Sequence, residues 1–173
     1  MDNNLFPNNP IINILNLINS PIIINSNNIL QRSFEEQENQ KHYIQEAIDL
    51  GYDVEIDVRK KLNGSLWLGH DSCEYPVDLE WLSERRDNLW IHAKNYRALS
   101  ELIDTDLRIF YHLAEAHTVI ANTHVIWSHN LVEANEKSII PLIDEDLLNF
   151  LDGTRKYFGI CSDFVKQAKD KLN

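Results

Sequence analysis

Short apolar, β-branched runs alternate with segments of helical pattern along most of this 173-residue sequence. We predict strands at 21–24, 53–59, 65–69, 89–92, 108–112, 118–121, 125–128, 138–142 and 157–161. We predict helices at 34–50, 78–86, 96–103 and 144–151, and a closing helix from 163. This alternation is typical of an α/β fold with parallel strands. Because no low-complexity linker divides the chain, we predict one domain at 21–173 that follows an N-terminal extension at 1–20.

Polar residues stand at the carboxyl ends of the predicted strands. They are Asn25, Asp57, His70, Lys94, His112, His129 and Asp163. In a (β/α) barrel the active site is built at this end of the strands. The pattern therefore favours a small TIM-like barrel. A chain of this length leaves room only for reduced helices in the second half of such a barrel.

Composition and net charge exclude some classes of protein. A hydrophobic content of 43% is typical of a globular protein. The formal net charge of -11 argues against nucleic-acid binding, because neutralising phosphates requires an excess of Lys and Arg. The 2 cysteines, Cys73 and Cys161, form no paired motif and indicate a reducing compartment. The N-terminal apolar stretch is interrupted by asparagines, so we predict no transmembrane segment and a cytoplasmic protein, with the oligomeric state left open.

Glu55 and Asp57 lie two residues apart in an apolar run. In a strand such residues project from the same face, with Val54, Ile56 and Val58 on the other. Two adjacent carboxylates repel unless a cation lies between them, and a divalent metal with oxygen ligands fits that need. A histidine at the end of the next predicted strand, His70, is a candidate acid or base beside the metal.

The order of these signals is more specific than any one of them. Glu38-Asn39 precedes a helix, and AIDLGYDVEIDVRKKLNGSLWLGHD follows over 47–71. This resembles the glycerophosphodiester phosphodiesterase family of the phosphatidylinositol-phospholipase-C-like barrels. In that family a strand ending in His-Arg-Gly precedes Glu-Asn-Thr, a strand with Glu-x-Asp and a strand ending in His-Asp. The match is close over 38–71 and looser afterwards, where LWIHAKN stands in the place of a strand ending in Glu-x-Lys.

The resemblance implies a metal-dependent hydrolase of small phosphodiesters with Mg²⁺ or Ca²⁺ as its cofactor. Glu55 and Asp57 correspond to metal ligands, and His70 corresponds to a catalytic histidine that gives or takes a proton. Lys94 corresponds to the lysine that holds phosphate charge. Glu38 corresponds to the acid of Glu-Asn-Thr, close to the bound substrate.

Two positions depart from the family pattern. Asn25-Ser26 stands where the first catalytic histidine and its arginine are expected, and asparagine cannot shuttle a proton near neutral pH. His92 stands where the third metal ligand is a glutamate, and imidazole suits Zn²⁺ or other transition metals better than Mg²⁺ or Ca²⁺. The departures predict a slow, divergent phosphodiesterase. The alternative is an inactive barrel that binds a phosphorylated ligand or a protein partner.

Histidines in the second half of the chain are weaker candidates. His112 follows a predicted strand and can reach the same pocket as a substrate-binding residue, and Glu115 is a similar candidate. Spacing among the remaining histidines, His117, His124 and His129, matches no closed zinc site with cysteines. Asp163 is most simply the N-cap of the closing helix.

Overall fold

The computed structural model describes residues 22–25 and 38–172 as a mixed α/β fold. The strands are β1 (Ile22–Asn25), β2 (Asp53–Lys60), β3 (Leu66–Leu68), β4 (Tyr75–Val77), β5 (Leu89–Ala93), β6 (Ile109–Phe110), β7 (His117–Val119), β8 (Ile126–Ser128), β9 (Ser138–Pro141) and β10 (Gly159–Ser162). The α-helices are α1 (Lys41–Asp49), α2 (Leu79–Glu84), α3 (Tyr96–Leu102) and α4 (Val165–Leu172), and a 3₁₀ helix covers Glu145–Phe150.

All ten of these strands belong to one sheet. Its main path runs β4-β3-β2-β1-β10-β9-β8-β7, and β5 pairs with both β2 and β6. The pairs that join β6, β5, β2, β1, β10, β9 and β8 are all parallel, whereas β3, β4 and β7 are added in antiparallel fashion. The parallel strands therefore carry their carboxyl ends along a common edge. No continuous ladder closes the sheet within the described residues, although an isolated bridge joins Ile109 to Ala121.

The two faces of the sheet contact different cores. Val54, Ile56 and Val58 of β2 pack with Ile44 of α1 and Leu102 of α3 beneath the helices. A second core collects side chains from β1, β5, β6, β8, β9 and β10 and from the segment between β7 and β8: Ile24, Trp90, Phe110, Ile120, Val125, Trp127, Ile139 and Cys161. Alternation along β5 sends Leu89 and Ile91 into the first core and Trp90 into the second, as the period of a strand requires.

Each predicted strand and helix has a counterpart in the structure, but several bounds differ, one predicted helix is a 3₁₀ helix, and one strand was not predicted. The strand predicted at 108–112 is only Ile109–Phe110, and the helix predicted at 144–151 is a 3₁₀ helix at Glu145–Phe150. Strand β4 was not predicted, because Pro76 in its centre lowers strand propensity, but Pro76 fits an edge strand. The extension at 1–20 and the first residues of the helix predicted at 34–50 lie outside the described residues.

Candidate metal centre and its surroundings

Strand register brings three potential metal ligands together. Asp57 of β2 is paired with His92 of β5, and Glu55 lies two residues earlier on the same face of β2. Ligand atoms of Glu55, Asp57 and His92 all lie within 4.8 Å of one another, and we call these residues the three-ligand centre. Because the face opposite is filled by apolar residues, the acids cannot turn away from each other into solvent.

Asp57 contacts three other side chains at this centre. Its Oδ2 lies 2.7 Å from Nδ1 of His70, and its Oδ1 lies 3.3 Å from Nδ1 of His92 and 3.5 Å from Nζ of Lys94. The carboxylate is only 6% exposed. Burial raises the pKa of Asp57, but the hydrogen bond with His70, the contact with His92 and the charge of Lys94 together hold that pKa well below its usual range. Asp57 is therefore an anion with three cationic or potentially cationic neighbours.

Glu55 has the opposite electrostatic environment. Burial raises the pKa of Glu55 well above its usual range, and the charge of Asp57 raises it further. The charges of Asp163 and Glu38 act in the same direction, and only Lys94 opposes them. Four carboxyl groups thus face one region, so an added cation would stabilise the ionised state of Glu55.

Two buried polar atoms of the centre lack hydrogen-bond partners among the described residues. They are Oδ1 of Asp57 and Nε2 of His92. The approaches of His92 and Lys94 to Oδ1 are electrostatic contacts without hydrogen-bond alignment. Since a buried unpaired polar atom costs about 1–3 kcal/mol, such atoms at a cluster of ligands point to an additional partner.

The turn after β3 holds His70 at the mouth of the centre. Gly69 has φ 143, and a Cβ at this position would lie 2.2 Å from the carbonyl oxygen of Ser72. Arg59 donates from Nε to the carbonyl oxygen of Gly69 at 3.1 Å and from a second nitrogen to that of His70. The hydrogen bond with Asp57 raises the pKa of His70, whose side chain remains 59% exposed.

Asn39 is a supporting residue to which the sequence motif assigned no role. It is buried with φ 59, and its Oδ1 accepts the backbone N–H of Asp57 at 3.1 Å. Asparagine tolerates this left-handed backbone better than most residues. The signal that could have identified Asn39 is its place directly after Glu38 in the motif.

Aromatic stacking extends the centre toward β6 and β8. The ring of His92 stacks on those of Phe110 and His112, with centroid distances of 4.8 Å and 4.4 Å, and these two rings lie side by side at 6.0 Å. His129 contacts His112 edge-on, and Nε1 of Trp127 donates to Nε2 of His129 at 3.2 Å. Burial lowers the pKa of His112 to about 4 and also lowers that of His129, so both imidazoles are neutral at neutral pH.

Most of the predicted site residues come together in the structure. Glu55, Asp57, His92, His70 and Lys94 are in mutual contact or linked through Asp57. Glu38 is near enough for its charge to act on Glu55, and His112 stacks on His92. The backbone of Asn25 pairs with Val54 and Ser162 at the end of β1, and its side chain lies outside the described part of the chain.

An open depression adjoins the centre beyond His112. Its lining residues are His112, Leu113, Ala114, Glu115, Ala116, His129, Asn130 and Leu131. His112 and Glu115 line this depression, whereas the sequence predicted that they reach the pocket of Glu55, Asp57 and His70, and none of those three residues lines it. His129, one of the polar residues at predicted strand ends, lines the depression as well.

No protein-family model matches this sequence, and no curated protein matches it either. The functional interpretation therefore rests on the geometry of the described residues. Within 22–25 and 38–172, no helix has the length and apolar content needed to cross a membrane.

Proposed function

We propose that this protein is a divergent, metal-dependent phosphodiesterase of the glycerophosphodiester type. The observation that carries the proposal is the three-ligand centre, with His70 and Lys94 both in contact with Asp57. The chain thus combines candidate cation ligands and a positive charge in a buried cluster with an acid or base, His70, at its mouth. These are the parts that hydrolysis of a small phosphodiester requires.

We further propose that the sheet forms a small (β/α) barrel with reduced helices in its second half. Two observations support this. Side chains from six strands meet in one core, and the isolated bridge from Ile109 to Ala121 links the two ends of the sheet. A barrel would place the carboxyl ends of the parallel strands, and with them the centre, around a single mouth.

The donor set fits a divalent cation. Glu55 and Asp57 offer oxygens and His92 offers a ring nitrogen, and two atoms of these residues, Oδ1 of Asp57 and Nε2 of His92, lack hydrogen-bond partners among the described residues. Mg²⁺ and Ca²⁺ prefer oxygen ligands, so His92 shifts the expected preference toward Mn²⁺ or Zn²⁺. When bound, the cation would polarise a phosphoryl oxygen and neutralise charge that develops during the reaction.

His70 and Lys94 have distinct roles in the proposed chemistry. Because Nδ1 of His70 is hydrogen-bonded to Asp57, Nε2 is the nitrogen that would exchange a proton with the substrate. Asp57 also fixes the ring orientation and favours the protonated imidazole. Lys94, only 16% exposed, would stabilise negative charge on the phosphate from the inner side of the site.

Asn25 limits the expected rate. Its amide can hydrogen-bond a phosphate oxygen but cannot act as the second proton-transfer group near neutral pH. Loss of such a group typically lowers a rate by about 10²–10⁴-fold. We therefore expect slow but metal-dependent hydrolysis.

The test is hydrolysis of glycerophosphodiesters and bis-p-nitrophenyl phosphate with Mg²⁺, Ca²⁺, Mn²⁺ or Zn²⁺. The unaltered protein should hydrolyse these substrates slowly. Asn25→His combined with Ser26→Arg should raise the rate of hydrolysis by about 10²-fold or more. His70→Gln in the restored protein should remove that gain. Failure of every metal and both substrates, before and after the substitutions, would rule out the proposed activity.

Asn25 also favours a second candidate, an inactive barrel that binds a phosphorylated ligand or a protein partner. In that case Lys94 and His70 would serve as permanent counter-charges to Asp57, and no metal would be required. The protein with Asn25→His and Ser26→Arg distinguishes the two candidates. A binding module would gain no hydrolysis from these substitutions and would bind no metal at Glu55.

A further inference from the structure

Two histidines meet at the rim of the depression described above. His112 follows β6 and His129 follows β8, and both line the depression beside Leu113, Asn130 and Leu131. Their Nε2 atoms are 3.4 Å apart, and the ring planes are inclined at 67°. The two nitrogens therefore converge at an open surface rather than in a closed core.

The separation of the nitrogens equals that of two imidazoles on one tetrahedral ion. A Zn–N bond of about 2.0–2.1 Å and a tetrahedral angle place two ligand nitrogens about 3.3–3.4 Å apart. N–H···O hydrogen bonds in proteins are most often about 2.9–3.0 Å long. The observed 3.4 Å is the spacing of two ligands on one ion and is also that of a long hydrogen bond between the rings.

Hydrogen-bond accounting supports the same reading. Nε2 of His129 has a single lone pair, and Nε1 of Trp127 already donates to it at 3.2 Å. Nε2 of His112 must then aim a second hydrogen at the same lone pair or oppose it with a lone pair of its own. A cation shared by both nitrogens removes this conflict, at the cost of releasing the indole N–H of Trp127.

The three-ligand centre cannot supply a third imidazole to this pair. The rings of His92 and His112 are stacked with an interplanar angle of 14°. Lone pairs that lie in two nearly parallel planes run side by side and do not converge on one ion. Any cation at the histidine pair would therefore be separate from one held by Glu55 and Asp57.

We propose that His112 and His129 together bind a transition-metal ion such as Zn²⁺ or Cu²⁺ at a second site. Imidazole nitrogen selects these ions over Mg²⁺ and Ca²⁺. Two protein ligands leave positions for water or for a ligand in the depression. The site stands on its own geometry and does not depend on the proposed phosphodiesterase activity.

The experiment is calorimetric titration of untagged Glu55→Gln protein with Zn²⁺, since this background weakens the three-ligand centre. One Zn²⁺ per chain should still bind. His112→Gln or His129→Gln should each weaken that binding by about tenfold or more, because even residues behind metal ligands affect affinity 10–100-fold. His124→Gln, at an exposed histidine, should leave it unchanged.

Trp127→Phe gives an independent measurement, because it removes the competing N–H without removing a ligand. It should tighten Zn²⁺ binding. In the Glu55→Gln protein, substoichiometric Cu²⁺ should broaden the ring resonances of His112 and His129 before those of His42 and His124, a measurement that needs no substitution at either proposed ligand. Absence of Zn²⁺ binding, or binding indifferent to both histidines with broadening elsewhere first, would overturn the proposal.

Discussion

At the scale of the residue, Asp57 makes more of the contacts within the site than any of its neighbours. Its two oxygens contact His70, His92 and Lys94, and its backbone N–H is held by Asn39. A buried carboxylate in this position is stable only because each neighbour compensates it. The support that Asn39 gives by accepting the backbone N–H of Asp57 is therefore as important for the stability of the site as the side chains that contact the carboxylate.

Asn39 provides a test of that support. Asn39→Gly keeps the backbone conformation at φ 59 but leaves the N–H of Asp57 without its acceptor. We expect a loss of about 1–3 kcal/mol in the free energy of unfolding, the cost of a buried unpaired donor. Urea denaturation measures it.

The matched control is Asn39→Asp, which keeps an acceptor oxygen and a residue type that tolerates positive φ. If Asn39→Gly has the same stability as the unaltered protein, the hydrogen bond to Asp57 contributes nothing. A charge placed this close to Asp57 makes Asn39→Asp costly in its own right, so Asn39→Ser serves as a neutral second control.

At the scale of the element, the β3–β4 turn positions His70 through its backbone. Gly69 adopts φ 143, and Arg59 of β2 binds two consecutive carbonyl oxygens there. The side chain of His70 is well exposed, so packing alone does not hold it. The turn conformation and the hydrogen bond to Asp57 together determine where the imidazole lies.

Gly69→Ala should therefore disturb the site more than an ordinary glycine substitution. Its Cβ would collide with the backbone of Ser72 at 2.2 Å, and the backbone strain alone costs about 1–3 kcal/mol. We expect lower stability and a downward shift in the pKa of His70 as its contact with Asp57 loosens. Thermal unfolding and NMR titration measure these effects.

Gly64 in the β2–β3 turn is the control position. Its φ is 90, but a Cβ there meets nothing within 4 Å. Gly64→Ala should cost only about 1–2 kcal/mol of backbone strain and leave the titration of His70 unchanged. Equal effects of the two substitutions on His70 would show that the Gly69 turn does not position it.

At the scale of the whole molecule, the net charge of -11 includes four carboxyl groups directed at one region of the site. Glu55 and Asp57 both belong to β2, and Glu38 and Asp163 come from two other segments of the chain. Their repulsion opposes the fold unless protons, Lys94 or a metal offset it. Cation binding at the three-ligand centre should therefore be coupled to global stability.

We expect Mn²⁺ at about 100 times its dissociation constant to raise the free energy of unfolding by about 2.7 kcal/mol. For a domain of this size that corresponds to an increase of roughly 5–10 °C in Tm. Differential scanning fluorimetry measures it. Glu55→Gln should abolish the increase, whereas Asp87→Asn, at an acid 88% exposed, should leave it intact. An identical shift in all three proteins would assign the effect to nonspecific cation binding.

The sequence by itself determined the class of fold, most of the elements and the core of the site. Alternation in β2 placed Glu55 and Asp57 on one face and Val54, Ile56 and Val58 on the other, because successive side chains of a strand point to opposite sides. His70 was identified from its position at a strand end, and the role of Lys94 is what the resemblance to the phosphodiesterase family implies. Such signals depend only on residues that are close together in the sequence, so the sequence alone predicts them.

Tertiary structure decided what depends on pairing between distant segments. The register of β2 against β5 set Asp57 beside His92, and the approach of β6 to β8 brought His112 to His129. Spacing along the chain carried no trace of that histidine pair, because its members are 17 residues apart and come from different strands. The support of Asp57 by Asn39 was hidden for the same reason: a contact across 18 residues is made by the packing of the fold.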